Sequence, residues 1–151
     1  MRRSFLKILG FSFVSYLLIP LSSILAATKT LFNKNLTDEQ KDIMFNEGTE
    51  RPFSSELNKE NRKGFYHCAN CGAKLFASKS KFDSGTGWPS FSEALPGAFK
   101  TKVDRKFGMV RTEYHCAKCG VHHGHVFNDG PSKNGKRFCN NGLCLIFKPS
   151  N

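Results

Sequence analysis

Two matching cysteine turns, YHCANCG at 66–72 and YHCAKCG at 114–120, constrain the fold of this chain more than any other feature. A CxxC turn aims two sulfurs at one point, and the glycine that follows lets the backbone approach that point. Two such turns predict a structural zinc site with four thiolate ligands and no open coordination position. The predicted ligands are Cys68, Cys71, Cys116 and Cys119. Redox-active CxxC pairs, or disulfides formed after export, are the alternatives.

The rest of the chain is typical of a mainly β domain. Short runs rich in aromatic and β-branched residues are separated by Gly, Pro, Asn and Asp. The pattern predicts mainly antiparallel strands with one or two peripheral N-terminal helices, rather than alternating βαβ units. The 15 phenylalanines favour an aromatic core. The predicted strands are 64–66, 73–76, 108–115, 125–127 and 143–147.

One N-terminal helix is predicted at about 38–47. Thr37 and Gln40 have the spacing of a capping box, in which each side chain bonds the backbone N–H of the other residue. The two acidic residues after Thr37 suit the positive N-terminal end of a helix. Gly48 stands where a helix commonly ends.

The first 27 residues have the pattern of an export signal. The chain opens MRRSFLK and then runs without charge, mostly apolar, to two alanines at 26–27. RRSFLK resembles the twin-arginine signal, whose translocon moves folded proteins. We therefore predict an exported, periplasmic protein with its signal at 1–27, a linker at 28–35 and one domain at 36–151, in transient contact with the membrane through the signal. Because an apolar residue precedes each candidate cleavage point by three positions, a retained membrane anchor is the alternative.

The formal net charge of +11 indicates a basic surface. Such a surface attracts acidic proteins, membranes or nucleic acids. Because no run of Lys and Arg is interleaved with aromatic residues, we expect no nucleic-acid partner. We expect a monomer. A noncatalytic zinc-ribbon module that binds acidic ligands through this surface is the alternative to an enzyme.

Several segments, in chain order, resemble the signature segments of the methionine-R-sulfoxide reductases. They are GTERPF (48–53), both cysteine turns, SGTGWPSF (84–91), HHGHVFNDGP (122–131) and RFCNN (137–141). The resemblance covers about 36–147 and implies two antiparallel sheets, with the zinc site distant from the catalytic face. It implies reduction of the R epimer of methionine sulfoxide in oxidised proteins. It also implies that Trp88 lines the pocket for the sulfoxide methyl group, with Phe127 as a second wall.

Cys139 is the predicted nucleophile. A sulfoxide sulfur is electrophilic and its oxygen leaves only when protonated, so the reaction needs a thiolate and an acid, and it leaves a sulfenic acid. In an extended segment, the side chains of Arg137, Cys139 and Asn141 share one face, where a cation and an amide favour the thiolate. By resemblance, His122 and His125 point into the site and protonate the oxygen or order water. A buried structural thiol is the alternative for Cys139.

Two positions depart from the family's pattern. Thr86 stands where many members have the resolving cysteine, and His123 stands where an apolar residue is usual. If the CxxC pairs hold zinc, Cys144 is the remaining spare thiol, and in an extended strand it lies about 16–18 Å from Cys139, too far for a disulfide. We therefore predict strand packing for Cys144 and reduction of the sulfenic acid by an external thiol, such as a thioredoxin-like protein. A resolving role for Cys144, through a bend after Asn141, is the alternative.

Overall fold

The computed structural model describes residues 28–150, which form one α-helix and nine strands. The helix α1 spans Asp38–Asn46, and the strands are β1 Gly64–Cys68, β2 Lys74–Ala77, β3 Lys81–Phe82, β4 Ser90–Phe91, β5 Phe99–Asp104, β6 Arg111–Cys116, β7 His122–Phe127, β8 Arg137–Asn140 and β9 Leu145–Pro149. Short 3₁₀ turns lie at Glu56–Lys59, Ser78–Ser80, Lys106–Gly108 and Gly142–Cys144. The predicted signal at 1–27 lies outside the described residues. Between residues 28 and 150, no helix has the length and apolar character needed to cross a membrane.

The strands form two antiparallel sheets, which confirms the predicted fold class. One sheet has the order β2-β1-β9, and the other has the order β3-β4-β8-β7-β6-β5. Five of the strands fall where the sequence pattern placed them, to within a few residues. The predicted strands did not include β3, β4, β5 or β8. Of these, β3 and β4 are only two residues long, β5 is mostly exposed and polar, and β8 was considered only as an extended segment around Cys139.

Aromatic side chains join the two sheets. Phe76 from β2 stacks on Phe91 from β4, with ring centroids 4.0 Å apart. Tyr66 from β1 meets the edge of the same Phe91 ring at 4.9 Å, and Phe76 also contacts Phe99 from β5 at 5.0 Å. Such pairs add about 0.5–1.5 kcal/mol each beyond the burial of their area. The phenylalanine-rich composition therefore serves the contact between the sheets.

Helix α1 begins as predicted and ends one residue earlier. The Gln40 backbone N–H donates to the Thr37 hydroxyl at 3.1 Å, and the Thr37 N–H donates to the Gln40 side chain at 3.0 Å, which confirms the capping box. Glu47, rather than Gly48, takes the left-handed conformation, at φ 63°. This conformation costs a side-chain-bearing residue about 1–2 kcal/mol. Three lysines surround the Glu47 carboxylate and offset this cost: Lys29, Lys102 and Lys106.

Residues 28–35, which we expected to be a linker, run along the cysteine turns. The Asn70 side chain, in the first turn, accepts two backbone N–H groups of this segment at 2.9 and 3.1 Å. It also donates to the Thr30 carbonyl at 2.7 Å. The Thr30 N–H in turn donates to the Cys119 carbonyl, in the second turn, at 2.9 Å. The segment therefore bridges the two turns.

His123 is buried in the aromatic core. Its side chain is fully inaccessible to solvent, and its ring centroid lies 5.4 Å from that of Phe99. Neither ring nitrogen has a hydrogen-bond partner among residues 28–150. Burial lowers the pKa of His123 to about 4, and the nearby Cys116 and Asn140 side chains offset only part of that effect. A polar ring therefore occupies an apolar position at a cost in stability.

We predict that His123→Leu raises the free energy of unfolding at pH 7 by about 1–2 kcal/mol, because it removes two buried nitrogens that lack partners. The pKa of His123 is lower in the folded chain than in the unfolded chain, so the unfolded chain takes up the proton first as the pH falls. The stability that depends on neutral His123 is thus lost between the ordinary histidine pKa and about 4. Urea unfolding of both proteins at pH 7 and pH 5 should show a larger difference in the free energy of unfolding between them at pH 5. An equal difference at both values would contradict this assignment.

Candidate active site and metal centre

Four sulfurs converge where the two cysteine turns meet. The Sγ atoms of Cys68 and Cys119 lie 3.7 Å apart and those of Cys71 and Cys116 lie 3.6 Å apart. All four sulfurs lie within 4.8 Å of one another, and all four cysteines are free of disulfides. Zinc with four sulfurs at about 2.3 Å in a tetrahedron separates them by about 3.8 Å. The spacing therefore fits one metal ion of this kind.

Cys139 lines a small pocket of about 130 Å³. The strand register places it directly opposite His125 on β7 and opposite Ser90 on β4. The other lining residues are Thr49, Trp88, Arg111, Gly124, His125, Phe127, Asn140 and Asn141. The pocket thus brings together five residues selected from the sequence: Cys139, His125, Trp88, Phe127 and Asn141. Two others, His122 and Arg137, lie beside the pocket and do not line it.

Gly124 sets how closely the two strands of the pocket approach. A Cβ atom at this position would collide with the backbone carbonyl oxygen of Cys139. The glycine between His122 and His125 therefore lets β7 lie against the strand that carries the thiol. A larger residue would push His125 away from Cys139.

The surroundings of Cys139 act on its pKa in opposite directions. Burial raises the pKa of the thiol, whereas the Arg137 guanidinium and the Thr86 hydroxyl lower it by charge and hydrogen bonding. Burial outweighs both, so the pKa of Cys139 lies above the ordinary value of a thiol. The cation that the sequence placed beside the sulfur is present, but the net effect differs from our expectation. The surroundings thus favour the thiol form of Cys139 over the thiolate.

Arg137 is held by two partners. Its guanidinium donates to both carboxylate oxygens of Asp129, at 2.8 Å each. The same group lies 4.5 Å from the centre of the Phe127 ring. Arg137 therefore fixes one wall of the pocket as well as placing a positive charge near Cys139.

His125 is oriented by a buried carboxylate. Its Nε2 lies 2.8 Å from Oδ2 of Asp104, which also accepts from Arg111 at 2.6 Å. Burial lowers the pKa of His125, while the hydrogen bond with Asp104 raises it and Arg111 lowers it, and the net direction is down. Although burial opposes ionisation of Asp104, hydrogen bonds from the Lys106 N–H, His125 and Arg111 lower its pKa to about 2. Because Asp104 occupies Nε2, Nδ1 is the nitrogen left to meet a substrate.

His122 lies behind His125. Its Nδ1 is 3.0 Å from Oε1 of the buried Glu113, and its ring centroid is 5.6 Å from that of His125. Burial favours the neutral form of Glu113, but His122 and Lys102 favour its charged form, and the net effect lowers its pKa. The two predicted histidines therefore separate. His125 lines the pocket with Cys139, and His122 lines an adjoining cavity with Glu113.

Glu50 joins three pieces of the site, and the sequence reasoning did not assign it a role. Its buried carboxylate accepts the backbone N–H groups of Gly142 and Leu143, just after the nucleophile strand. Its backbone carbonyl accepts the indole N–H of Trp88 at 3.1 Å, and its N–H donates to the Asn141 side chain at 3.1 Å. The signal for Glu50 was its place in the GTERPF segment. Asp104 and Glu113 were also missed, because each lies in a strand without a local motif.

Asn141 serves the scaffold of the site. Its side-chain oxygen accepts from Glu50, and its side-chain nitrogen donates to the His123 carbonyl at 3.1 Å. Both polar ends of the amide are therefore occupied by backbone groups. Asn141 fixes the pocket wall beside Cys139 and leaves little capacity to bind a substrate.

Thr86, which stands where many family members have a resolving cysteine, and Cys144, the spare thiol, lie on different sides of the site. The Thr86 hydroxyl is 2.8 Å from the Ser84 hydroxyl and is close enough to Cys139 to affect its pKa. Cys144 lies in a 3₁₀ turn, where we predicted a strand, and is fully buried, with Sγ 3.5 Å from the His122 carbonyl. The position beside Cys139 therefore holds a hydroxyl, and the spare thiol faces the core.

Comparison with known proteins gives the same family along most of the chain. The SelR domain matches residues 36–149. The peptide methionine sulfoxide reductase MsrB of Variovorax paradoxus is 58% identical over 101 residues, which are 66% of this chain and 74% of the relative. The protein of the same name from Agrobacterium fabrum is 49% identical over 119 residues, covering 78% of this chain and 88% of the relative. That from Methanosarcina barkeri is 48% identical over 118 residues, covering 78% and 83%.

One solved structure, the Mis18 "Yippee-like" domain, covers 60% of this chain and 99% of its own at 16% identity and a TM-score of 0.49, too weak a likeness to indicate function. The SelR match covers most of the chain, and it includes both cysteine turns and every lining residue of the Cys139 pocket. The chain therefore belongs to the SelR domain family, the methionine sulfoxide reductase B proteins.

Proposed function

We propose that this protein reduces the R epimer of methionine sulfoxide in oxidised proteins, using Cys139 as nucleophile. The observation that carries the proposal is the pocket in which the Cys139 thiol, the Trp88 ring and the His125 imidazole meet. Its size suits one sulfoxide side chain, and its walls combine an aromatic surface for the methyl group with polar groups for the oxygen. Relatives about half identical to this chain are named peptide methionine sulfoxide reductases, which supports this reaction.

The reaction needs one thiolate and two protons. The Cys139 sulfur attacks the sulfoxide sulfur while the sulfoxide oxygen takes up two protons and leaves as water, which gives a sulfur–sulfur bond to a sulfonium. Water then attacks the Cys139 sulfur, and methionine departs with the bonding electron pair. This step leaves a sulfenic acid on Cys139 and releases one proton. His125, whose Nε2 is paired with Asp104, delivers one of the two protons to the oxygen through Nδ1.

Trp88 and Asn141 keep the pocket in shape during this sequence. The Trp88 indole is fixed by its N–H bond to the Glu50 carbonyl. Asn141 is fixed by its two backbone bonds, so the strand end beside Cys139 does not move freely. Because the pocket is rigid, the contacts it makes with the methyl–sulfur group can orient the sulfoxide sulfur toward the Cys139 thiol.

The metal site has a structural role in this proposal. The four cysteines of the turns would hold Zn²⁺, which would link β1 in one sheet with β6 in the other. Bound zinc supplies cross-linking and charge compensation for the thiolates, and all four of its positions would be filled by sulfur. The chemistry at Cys139 proceeds without it as a reactant.

An external thiol completes the cycle. The hydroxyl of Thr86 cannot form a disulfide with Cys139, and Cys144 is fully buried against the His122 carbonyl. A thiol protein or small thiol therefore attacks the sulfenic acid, releases water and forms a mixed disulfide, which a second thiol resolves. We place this activity in the periplasm or another exported location, as repair of oxidised exported proteins, on the strength of the signal pattern at 1–27. A retained signal would anchor the enzyme at the membrane.

We predict that Cys139→Ser lowers the turnover of a methionine-R-sulfoxide peptide under dithiothreitol at least a thousandfold, because a hydroxyl is a far weaker nucleophile than a thiolate. Circular dichroism and zinc content should be unchanged. Cys144→Ala is the matched control and should retain activity within a few-fold. Full activity of the Cys139→Ser variant with either epimer would contradict the proposed role of Cys139 as nucleophile.

We predict that Asp104→Asn lowers kcat/KM about tenfold between the pKa values of His125 and Cys139. The reactive form pairs imidazolium with thiolate, and the pKa of His125 is lowered while that of Cys139 is raised. The acid limb of the pH profile then follows His125 and the alkaline limb follows Cys139. Losing the Asp104 charge lowers the pKa of His125 further, so the acid limb should move to lower pH while the alkaline limb stays.

Asp129→Asn is the contrasting control for this profile. Asp129 raises the pKa of Cys139, so its removal should move the alkaline limb to lower pH and leave the acid limb in place. A pH profile of Asp104→Asn that falls uniformly, with both limbs unmoved, would show that Asp104 has a purely structural role.

We predict that substrate-oxidised protein, without added thiol, accumulates one sulfenic acid on Cys139 and no Cys139–Cys144 disulfide. The reason is the burial of Cys144 in the turn after β8. Dimedone labelling followed by mass spectrometry would measure both species. A Cys139–Cys144 bond that accumulates in the wild type would replace the external-thiol cycle with an internal one.

A further inference from the structure

The hairpin between β5 and β6 carries an exposed apolar tip. The side chains that form it, here called the apolar tip, are Val103, Phe107, Met109 and Val110. They are 60%, 87%, 45% and 71% exposed, respectively. These are half of the large hydrophobic residues exposed between residues 28 and 150, and they lie within eight positions of one another. A cluster of this kind on a soluble surface is typical of an interaction site.

The hairpin is anchored directly beside the Cys139 pocket. Asp104 and Arg111 face each other at its base, and Arg111 lines the pocket. Asp104 hydrogen-bonds His125, and the Lys106 side chain donates to Glu47 at 2.7 Å. Three polar contacts therefore hold the base of the hairpin, namely Asp104–Arg111, Asp104–His125 and Lys106–Glu47, while the apolar tip is exposed to solvent.

Phe107 is held in an unfavourable backbone conformation. Its φ and ψ are 57° and 31°, in the left-handed region, and Gly108 follows at φ 71°. A bulky residue in this region is strained by about 1–2 kcal/mol, and such strain persists where function demands it. On the Trp88 side of the pocket, Phe53 shows the same combination, with φ 63° and 73% exposure. Two strained, exposed aromatic rings therefore lie beside two walls of one pocket.

The pocket itself is too small for more than one side chain. Its volume of about 130 Å³ is well below the 300–1,000 Å³ typical of pockets that enclose a whole small molecule. When a sulfoxide in a polypeptide enters it, the flanking residues must lie on the surface around the opening. Phe107 of the apolar tip lines a cavity that adjoins this pocket and shares Arg111 and His125 with it.

We infer that the apolar tip binds the apolar side chains that flank methionine sulfoxide in an unfolded polypeptide segment. The inference rests on the proposed function and names the substrate class of that same site. Lys106 is paired with Glu47, and Arg105 is exposed on the hairpin loop, so segments that also carry acidic side chains are favoured. Folded proteins bury most of their apolar side chains and so offer few of them to the apolar tip. The surface thereby selects unfolded, oxidised polypeptide.

The test compares three substrates with the purified full-length protein. They are N-acetyl-methionine-R-sulfoxide, a peptide with Leu, Phe and Glu around the sulfoxide, and a matched peptide with Ser and Gly around it. The tip variant is Phe107→Ser/Val110→Ser. The control is Ile146→Ser, which changes an apolar residue that is 45% exposed on β9 in the other sheet. The measured quantity is the ratio of kcat/KM for each peptide to that for the N-acetyl compound.

We expect the tip variant to lower this ratio about tenfold for the apolar peptide, mainly through KM, and less than twofold for the Ser/Gly peptide. The Ile146 control should leave both ratios unchanged. Equal loss on all three substrates, or no loss on the apolar peptide, would overturn the inference.

A binding measurement separates this inference from the proposed function. Fluorescence anisotropy of the labelled apolar peptide with Cys139→Ser, with and without the tip changes, needs no turnover. If the wild type reduces none of the substrates, the proposed function fails. Loss of peptide binding in the tip variant would still support the apolar tip as a peptide-binding surface. Tip-dependent binding to vesicles of mixed zwitterionic and anionic phospholipid, without peptide binding, would assign the tip to a membrane and overturn the inference.

Discussion

The arrangement of this protein depends on the four sulfurs that join its two sheets. Cys68 and Cys71 extend from β1 in the three-stranded sheet, and Cys116 and Cys119 extend from β6 in the six-stranded sheet. A metal ion bound by these four sulfurs would convert two separate turns into one cross-link, and its binding free energy would contribute directly to folding. The aromatic contacts between β2 and β4 then close the remaining space between the sheets. The strand that carries Cys139, β8, lies in the six-stranded sheet, so this junction helps to set the position of Cys139.

Buried charge orders the reactive face. Asp104 and Glu113 come from β5 and β6, and each faces one histidine of β7. Each carboxylate also has a basic partner, Arg111 for the first and Lys102 for the second. Breaking such a buried pair costs several kcal/mol because one charge remains uncompensated. The pairs therefore fix the ring orientations of the histidines and keep a proton source next to a thiol that burial has made weakly acidic.

The parts of this fold that the sequence predicted are those with a local signature. The paired CxxC turns, the Thr37–Gln40 cap and the position of Cys139 opposite a histidine follow from short motifs or from family resemblance. The parts that were missed depend on residues far apart in the chain. Glu47 adopts the left-handed conformation because lysines from two other segments reach it, and Asp104 meets His125 only through the pairing of three strands. No local pattern in the sequence encodes these contacts.

The raised pKa of Cys139 has a consequence for an enzyme exposed to oxidants. A thiolate reacts with peroxide faster than a thiol does, so the raised pKa of Cys139 slows its oxidation to a sulfenic acid by peroxide. In the proposed reaction, an imidazolium form of His125 beside the sulfoxide oxygen would favour the charged sulfur, although burial lowers the pKa of His125. Arg137 is already in place to stabilise that charge, and its pairing with Asp129 keeps it from moving. The proposed mechanism would thereby couple ionisation of the Cys139 thiol to occupation of the pocket by a sulfoxide.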